Sequence, residues 1–270
     1  MLPYEAIVVN KSTVPVGSTK VVERVLKRSD VRVVSNPEFL REGSAVDDFL
    51  RPDRVVVGCD DRSAAIKVGN LYDKVRAQII VTDPASAETI KYAANAFLAT
   101  KLSFINAIAA VCEGVGADVN DVVVGMGYDK RIGTEFLRPG PGWGGSCFPK
   151  DSRALLKIAN EAGYRFDLLA GVIAVNDEQF DRVAGKIRDA AGGSLAGRTV
   201  AVWGLTFKAR TDDLRDSPSV SIIRRLLAEG ARVQAFDPTV EATKPGVPDG
   251  VGRVRRRTAA RPPVPTCSPC

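Results

Sequence analysis

Cys147 is the residue best suited to covalent chemistry in this sequence. It lies in Gly144-Gly145-Ser146-Cys147-Phe148-Pro149-Lys150-Asp151, where glycines free the backbone and a lysine follows at once. A thiol becomes a nucleophile when cations or aligned amides stabilise its thiolate, and a Gly-rich loop entering a helix beside Lys150 offers both. The competing reading is a small residue filling a tight turn. Cys59 and Cys112 have no such neighbours and read as buried small hydrophobes. Cys267-Ser-Pro-Cys270 is a single CxxC, and a chain with no histidine has nothing to complete a zinc site, so no metal is expected. The same absence excludes Ser-His and Cys-His dyads. Proton transfer falls to Lys, Asp, Glu and Cys.

Three further groups could serve such a thiol. Lys91 and Asn95 are four apart in a helical stretch and share a face, which makes Lys91 either a site residue or a solvated surface lysine. Asn36-Pro-Glu38-Phe39-Leu40-Arg41-Glu42-Gly43 sets two carboxylates after a predicted strand, where open α/β sheets take ligands; the alternative is a turn with surface acids. Lys208-Ala-Arg-Thr-Asp-Asp-Leu-Arg215 follows another strand as a solvated or anion-binding loop. Gly140-Pro-Gly142-Trp143-Gly144-Gly145 spells GxGxxG, but it has no preceding strand and no acid about twenty residues on, so it does not read as a dinucleotide loop.

These groups need a scaffold of two or three parts. Strands are predicted over residues 6–9, 31–34, 55–57 and 79–81, with helical spacing over 19–28 and 62–75, a βα pattern with a parallel sheet. From Pro84 the texture becomes helical: a long helix over 86–112 stopped by Gly114 and Gly116, then helices over 151–162 and 168–190. At Arg198 the α/β pattern restarts with a strand over 199–203, a helix from Ser217-Pro218 to Ala228 and a strand over 232–236. The predicted units are 1–83, 84–193 and 194–240, followed by an Arg/Pro-rich tail over 241–270 expected to be disordered. A two-stranded sheet cannot bury both faces, so the last unit reads as cut off in mid-domain.

The chain has 270 residues, 45% hydrophobic and 26% charged, which is an ordinary globular balance. Its net charge of +6 comes largely from the last thirty residues, with six basic side chains against two acidic. That argues against a nucleic-acid partner, since the body carries no dominant positive field and the tail has no interleaved aromatics. No run approaches eighteen uninterrupted apolar residues and no leader is evident, so no membrane is expected and the location reads as cytoplasmic.

Taken in order, six segments resemble the UDP-glucose/GDP-mannose dehydrogenase family of nucleotide-sugar dehydrogenases. They are residues 11–17 (KSTVPVG), 35–43 (SNPEFLREG), 52–58 (PDRVVVG), 91–100 (KYAANAFLAT), 144–151 (GGSCFPKD) and 204–215 (GLTFKARTDDLR). The resemblance covers about residues 6–238. Its SCFPKD form favours the UDP-glucose branch over GDP-mannose and UDP-N-acetylmannosamine relatives. It implies an α/β fold with a truncated Rossmann-like parallel sheet, a central helical dimerisation region and a partial second Rossmann-like UDP-binding domain. The implied activity is NAD-dependent, two-step oxidation of UDP-glucose to UDP-glucuronate.

By this resemblance Cys147 attacks the intermediate aldehyde, giving a thiohemiacetal and then a thioester. Lys91 and Asn95 stabilise the oxyanion, Lys91 and Asp151 handle protons, and Glu38 activates the hydrolytic water. Thr13 lies near the nicotinamide, with Glu42, Lys150 and Arg215 at the cofactor. Glu38, Phe39, Leu40, Lys91, Asn95, Lys208 and the loop carrying Arg138, Gly142, Trp143 and Gly144 face the UDP-sugar, and Arg131 reaches the neighbouring subunit's substrate. A homodimer built on the long helix is implied.

The family begins with a strand and GxGxxG turn that this sequence does not match, and residues 241–270, which read like translation in another frame, do not resemble it. The expectation is therefore a fragment that keeps the catalytic middle, lacks most of the NAD site and has impaired activity. The alternatives are a dehydrogenase for GDP-mannose or another nucleotide sugar, and a non-catalytic dimerisation fragment.

Overall fold

The computed structural model describes residues 2–241 and 244–253. The chain opens with β1 (Ile7–Asn10), α1 (Ser18–Leu26), β2 (Arg32–Ser35), α2 (Ala45–Leu50), β3 (Arg54–Gly58), α3 (Arg62–Gly69) with a 3-10 turn over Asn70–Tyr72, and β4 (Gln78–Thr82). The β-branched runs form a four-stranded sheet in the order β1-β2-β3-β4. β1 with β2 and β3 with β4 are parallel, but the two pairs meet antiparallel through a single register pair, Ser35 and Gly58. The carboxyl ends of β2 and β3 thus converge, and the loop after β2 is carried alongside β3. Val34, Val55 and Val57 pack on Ala64, Ala65 and Val68 of α3 to form this unit's core.

The middle of the chain is helical: α4 (Pro84–Val115), α5 (Val119–Gly127), α6 (Phe148–Glu161) and α7 (Asp167–Ala190). Asp83 caps α4 by accepting Ser86 N–H at 2.9 Å, Pro84 fills its first turn, and Gly116 ends it in the left-handed conformation at φ 73°. By length and composition alone α4 could cross a membrane. Its inner face, however, packs against α6 and α7 and buries Glu88, Lys91, Asn95, Ser103 and Asn106. A helix that buries this many polar groups needs protein partners for them.

The third unit holds β5 (Thr199–Trp203), α8 (Pro218–Ala228), β6 (Arg232–Phe236) and β7 (Val251–Arg253) in a parallel sheet of order β5-β6-β7. One face packs on α7 and α8 through Phe180, Ile223, Leu226 and Val233. The other is open at β5, where Trp203 is exposed. The sequence reading is corrected here: residues 244–253 are not a structureless tail. Val247 and Val251 cover the core, β7 pairs along β6, and Lys244 Nζ binds Asp212 Oδ2 at 2.7 Å. Covering the β6 edge and its apolar face supplies the energy that a tally of Pro, Gly and Arg overlooked. The arginine cluster from Arg255 onward and the Cys267–Cys270 pair lie outside the described residues.

Candidate active site

Cys147 occupies the cap position of α6, where Ser, Asp or Asn ordinarily accepts a hydrogen bond from the first turn. No side-chain cap bond is made, and Sγ lies at a half-buried surface, at the end of the helix that favours negative charge. Asp151 N–H bonds the Cys147 carbonyl at 2.8 Å, one turn into α6. The Asp151 side chain is 0% exposed and accepts Asn95 Nδ2 at 2.6 Å on one oxygen and Lys150 Nζ at 2.6 Å on the other. Burial pulls the Lys150 amine down, but the hydrogen bond and charge of Asp151 outweigh it and hold the amine above the ordinary lysine value.

Lys91 lies one turn before Asn95 on the same buried face of α4, its side chain 4% exposed, so the solvated-lysine alternative falls. Its Nζ is 3.6 Å from Glu38 Oε1 and 5.2 Å from the centre of the Phe39 ring. Arg54, at the start of β3, stacks on the same ring at 3.9 Å. Glu38 is aimed by its own loop, accepting Leu40 N–H at 2.6 Å. Upstream, Asn36 donates to the Val56 carbonyl at 2.7 Å and accepts Lys11 Nζ and Tyr72 OH at 3.0 and 2.5 Å. Tyr92, next to Lys91, is buried; burial and then the charge of Asp151 push its phenol up.

On the other side of the sulfur, Ser146 Oγ lies 3.6 Å from Cys147 Sγ and donates to Glu42 Oε1 at 2.7 Å. Glu42 also meets Arg215 at 3.4 Å, and Arg215 is held mainly by Asp213 at 2.7 Å. Glu42 and Arg215 rim a cleft of about 740 Å³ that also takes in Arg210, Arg224 and Lys244. Thr13 lies on the β1–α1 loop. That loop is anchored by buried Glu88, which accepts Gly17 N–H at 2.6 Å and Thr19 N–H and Oγ at 2.9 and 2.8 Å.

The Gly140–Gly145 run follows no strand, and three of its five amides are spent within the protein. Gly140 N–H binds Asn106 Oδ1 at 2.8 Å, Trp143 N–H binds Asn176 Oδ1 at 2.7 Å, and Gly145 N–H binds the Arg215 carbonyl at 3.0 Å. Gly144 is essential to this docking, since a Cβ there would sit 1.8 Å from the Asp216 carbonyl oxygen. Trp143, expected among the substrate contacts, is turned into the core. Its indole is buried among Ala96, Ala99, Leu169 and Val172 with Nε1 on Ser103 Oγ at 2.9 Å, and its carbonyl accepts Asn176 Nδ2 at 3.0 Å. Gly142 faces Phe180 and Asn176. Arg138 is exposed, Arg131 turns outward onto Asp129, Phe39 and Leu40 are half-buried, and Lys208 lies over the Phe207 ring.

Contacts thus join Asn95 and Lys150 to Asp151, Lys91 to Glu38, and Ser146 to Glu42 and Arg215, with Cys147 at the amino end of α6 between Ser146 and the turn that carries Asp151. Sequence reasoning missed Ser146, Arg54, Tyr92 and the anchors Glu88 and Asn176. Ser146 adjoins the cysteine and was open to notice; the others depend on tertiary contact.

Sequence profiles of the UDP-glucose/GDP-mannose dehydrogenase family match in order: its NAD binding domain over residues 1–76, its central domain over 85–178 and its UDP binding domain over 201–259. The chain belongs to the UDP-glucose/GDP-mannose dehydrogenase family. The third match runs past residue 238, so the family likeness continues into the segment that the sequence reading set apart. A UDP-glucose 6-dehydrogenase of Bacillus subtilis, TuaD, is 50% identical over 237 residues, 86% of this chain and 51% of that protein. One from Rhizobium meliloti is 49% identical over 241 residues, 86% and 55% respectively. The chain therefore spans about half the length of the curated relatives it matches. The structure of a UDP-glucose dehydrogenase from Pyrobaculum islandicum superposes with a TM-score of 0.86 at 42% identity, covering 92% of this chain and 59% of that one.

Proposed function

We propose that this chain carries the catalytic centre of a cytoplasmic, NAD-dependent UDP-glucose 6-dehydrogenase, which oxidises the sugar's primary alcohol in two steps to UDP-glucuronate. The observation that carries the reading is the Asn95–Asp151 bond, which fixes α4, with Lys91, against the turn of α6 that begins at Cys147. The names of the relatives support UDP-glucose over GDP-mannose.

The residues present fit the nicotinamide end of the cofactor. Thr13 lies beyond the carboxyl end of β1, where open α/β sheets take their ligands, and Glu42 and Arg215 rim a cleft lined by both basic and acidic side chains, Arg210, Arg224 and Lys244 with Asp212, Asp213 and Asp216. NAD, when bound, supplies the hydride acceptor for each oxidation. Lys91 and Asp151 move the proton of the reacting hydroxyl. Cys147 Sγ adds to the aldehyde carbon, and the amine of Lys91 and the amide of Asn95 meet the charge on its oxygen. After the thioester has formed, Glu38 removes a proton from the water that cleaves it. Phe39, Leu40 and Lys208 hold the UDP-sugar.

A homodimer follows from α4, where Phe97, Phe104 and Val111, 66%, 49% and 58% exposed, repeat every seven residues along one outer stripe. Arg131 is then directed toward the partner's site. No nucleic acid or membrane is involved. The test is NADH production from UDP-glucose, with protection of Cys147 from iodoacetamide by UDP-glucose measured by peptide mass spectrometry. GDP-mannose in the same two assays separates the neighbouring specificity. Absence of both turnover and protection with UDP-glucose overturns the reading.

A further inference from the structure

Glu88 is buried on α4, 3% exposed, and no step of the proposed chemistry uses it. Both of its oxygens are committed to the amino end of α1. Oε2 accepts Gly17 N–H at 2.6 Å, and Oε1 accepts Thr19 N–H and the Thr19 hydroxyl at 2.9 and 2.8 Å. We propose that Glu88 is a positioning residue for the cofactor: it holds the β1–α1 loop, and Thr13 with it, in register with Lys91 and Asn95. The inference rests on the reading in which Thr13 meets the nicotinamide.

The register follows from helix geometry. Glu88, Lys91 and Asn95 stand at i, i+3 and i+7 on α4, within about 60° of one another around the axis and spread over roughly 10 Å along it. Each takes hold of a different part of the molecule: Glu88 the β1–α1 loop, Lys91 Nζ the Glu38 carboxylate at 3.6 Å, and Asn95 the buried Asp151 of α6 at 2.6 Å. One helix face thus sets the spacing between the loop bearing Thr13 and the groups that act on the sugar. Between Thr13 and Gly17 the chain has little freedom, because Pro15 fixes its own φ and its carbonyl accepts both Ser18 N–H at 3.1 Å and Ser18 Oγ at 2.6 Å.

The same contacts decide which part of a dinucleotide this loop can receive. Free amides at a helix start ordinarily attract phosphate. Here the Gly17 and Thr19 amides are spent on a carboxylate, and the Ser18 amide on the Pro15 carbonyl. A negative charge already occupies the amino end of α1, so a pyrophosphate brought there would meet repulsion instead of a cradle. The loop therefore suits the nicotinamide end, which carries no negative charge.

The deciding variant is Glu88→Gln in the full chain, which keeps the shape but leaves one acceptor oxygen for three donors and sets an NH2 group against an amide N–H. With the loop displaced, KM for NAD is expected to rise about tenfold or more, while KM for UDP-glucose stays within about twofold. The deuterium isotope effect with UDP-glucose labelled at C6 should grow, because hydride transfer to a misplaced ring slows relative to the other steps. Lost stability alone moves neither the ratio of the two KM values nor the isotope effect. Glu88→Asp, which keeps the carboxylate at shorter reach, should recover part of both. For a Glu88→Gln chain that does not fold, the same readouts are taken on Thr19→Val, which removes the hydroxyl contact alone and should shift KM for NAD the same way by less.

Hydrogen exchange followed by mass spectrometry needs no turnover. The amides of 13–21 should exchange about tenfold faster in Glu88→Gln, with the 95–112 stretch of α4 unchanged. Unchanged exchange over 13–21 overturns the positioning role, as does a variant with the parent's KM for NAD and isotope effect; both leave the dehydrogenase reading standing. A parent chain with neither turnover nor protection by UDP-glucose overturns that reading and this inference together, so the parent's own activity tells the two failures apart.

Discussion

Asn95 and Asp151 are joined across α4 and α6 by a 2.6 Å hydrogen bond that is fully buried. Asp151 is the only acceptor that the structure supplies to Asn95 Nδ2 among the described residues, and it receives Lys150 as well. Replacing it with alanine strands a buried amide and removes the tie between the two helices. Asp151→Ala is expected to cost about 3 kcal/mol, read as a lowered urea midpoint. Asp151→Asn, of the same shape, should keep most of that stability but lose about a hundredfold or more in NADH formation, as the proton transfer proposed for Asp151 requires. Equal activity in the Asp151→Asn and parent chains would remove Asp151 from proton transfer.

Gly144 reports on the contact between the central and third units. Its α-carbon lies so close to the Asp216 carbonyl that Gly144→Ala must push the loop or the start of α8 aside. A loss of about 3 kcal/mol is expected, which for a domain of this size lowers Tm by about 10 °C. The 204–217 loop should become more open to limited proteolysis. A variant of unchanged Tm would show that this approach is easily relaxed.

The elements that were plain in the sequence are those whose signal is local. The β-branched runs of β2 and β3, the Asp83-Pro84 start and Gly116 stop of α4, and the Ser217-Pro218 opening of α8 are each set by neighbours in the chain. α2 is too short for a helical period to show, and α5 contains Gly125 and Gly127, which argue against a helix until Asp118 is recognised as its cap. β7 is three residues of marginal propensity, fixed by the waiting edge of β6. The antiparallel junction of Ser35 and Gly58 is likewise tertiary. Residue type and spacing single out Cys147, Lys91 and Asn95, and the family resemblance adds Asp151 and Glu38 to the proposed site, but neither shows the inward turn of Trp143. The family resemblance places its loop at the sugar, whereas its burial depends on Ser103 and Asn176, forty and thirty-three residues away.

Ser152 offers a stabilising change. Its hydroxyl is the one fully buried side-chain polar atom without a hydrogen-bond partner among the described residues. Burying an unpaired hydroxyl costs more than the methyl that would replace it. Ser152→Ala is expected to gain about 1 kcal/mol and raise Tm by about 3 °C in a thermal melt. A fall in Tm would mean that a water molecule satisfies the hydroxyl in solution.

The outer stripe of α4 leads to a test of assembly. Phe97, Phe104 and Val111 present an apolar seam with no partner inside the chain's own core. Introducing charge there should separate subunits without disturbing the inner face that holds Lys91 and Asn95. Phe97→Lys with Phe104→Lys is expected to halve the mass seen by light scattering at micromolar concentration, with helix content by circular dichroism retained. A parent chain that is already monomeric at that concentration refutes the seam.

Asp48 gives the loop bearing Glu38 and Glu42 a defined acid sensitivity. The Arg41 guanidinium is the main cause that lowers its carboxyl to about 2, helped by the Arg41 amide and the Ser44 hydroxyl, while burial opposes them. An ordinary aspartate carboxyl, the reference for the unfolded chain, titrates near 3.8. A carboxyl lowered by folding adds stability that is complete above the unfolded value and disappears as pH falls through the folded one. Between pH 4 and about 2, therefore, protonation of Asp48 should release Arg41 and loosen the 41–48 segment. Asp48→Asn should be less stable than the parent at pH 6, and the gap between their urea midpoints should close as pH approaches 2. A gap that persists unchanged at low pH would assign the loss to packing of the side chain rather than to its charge.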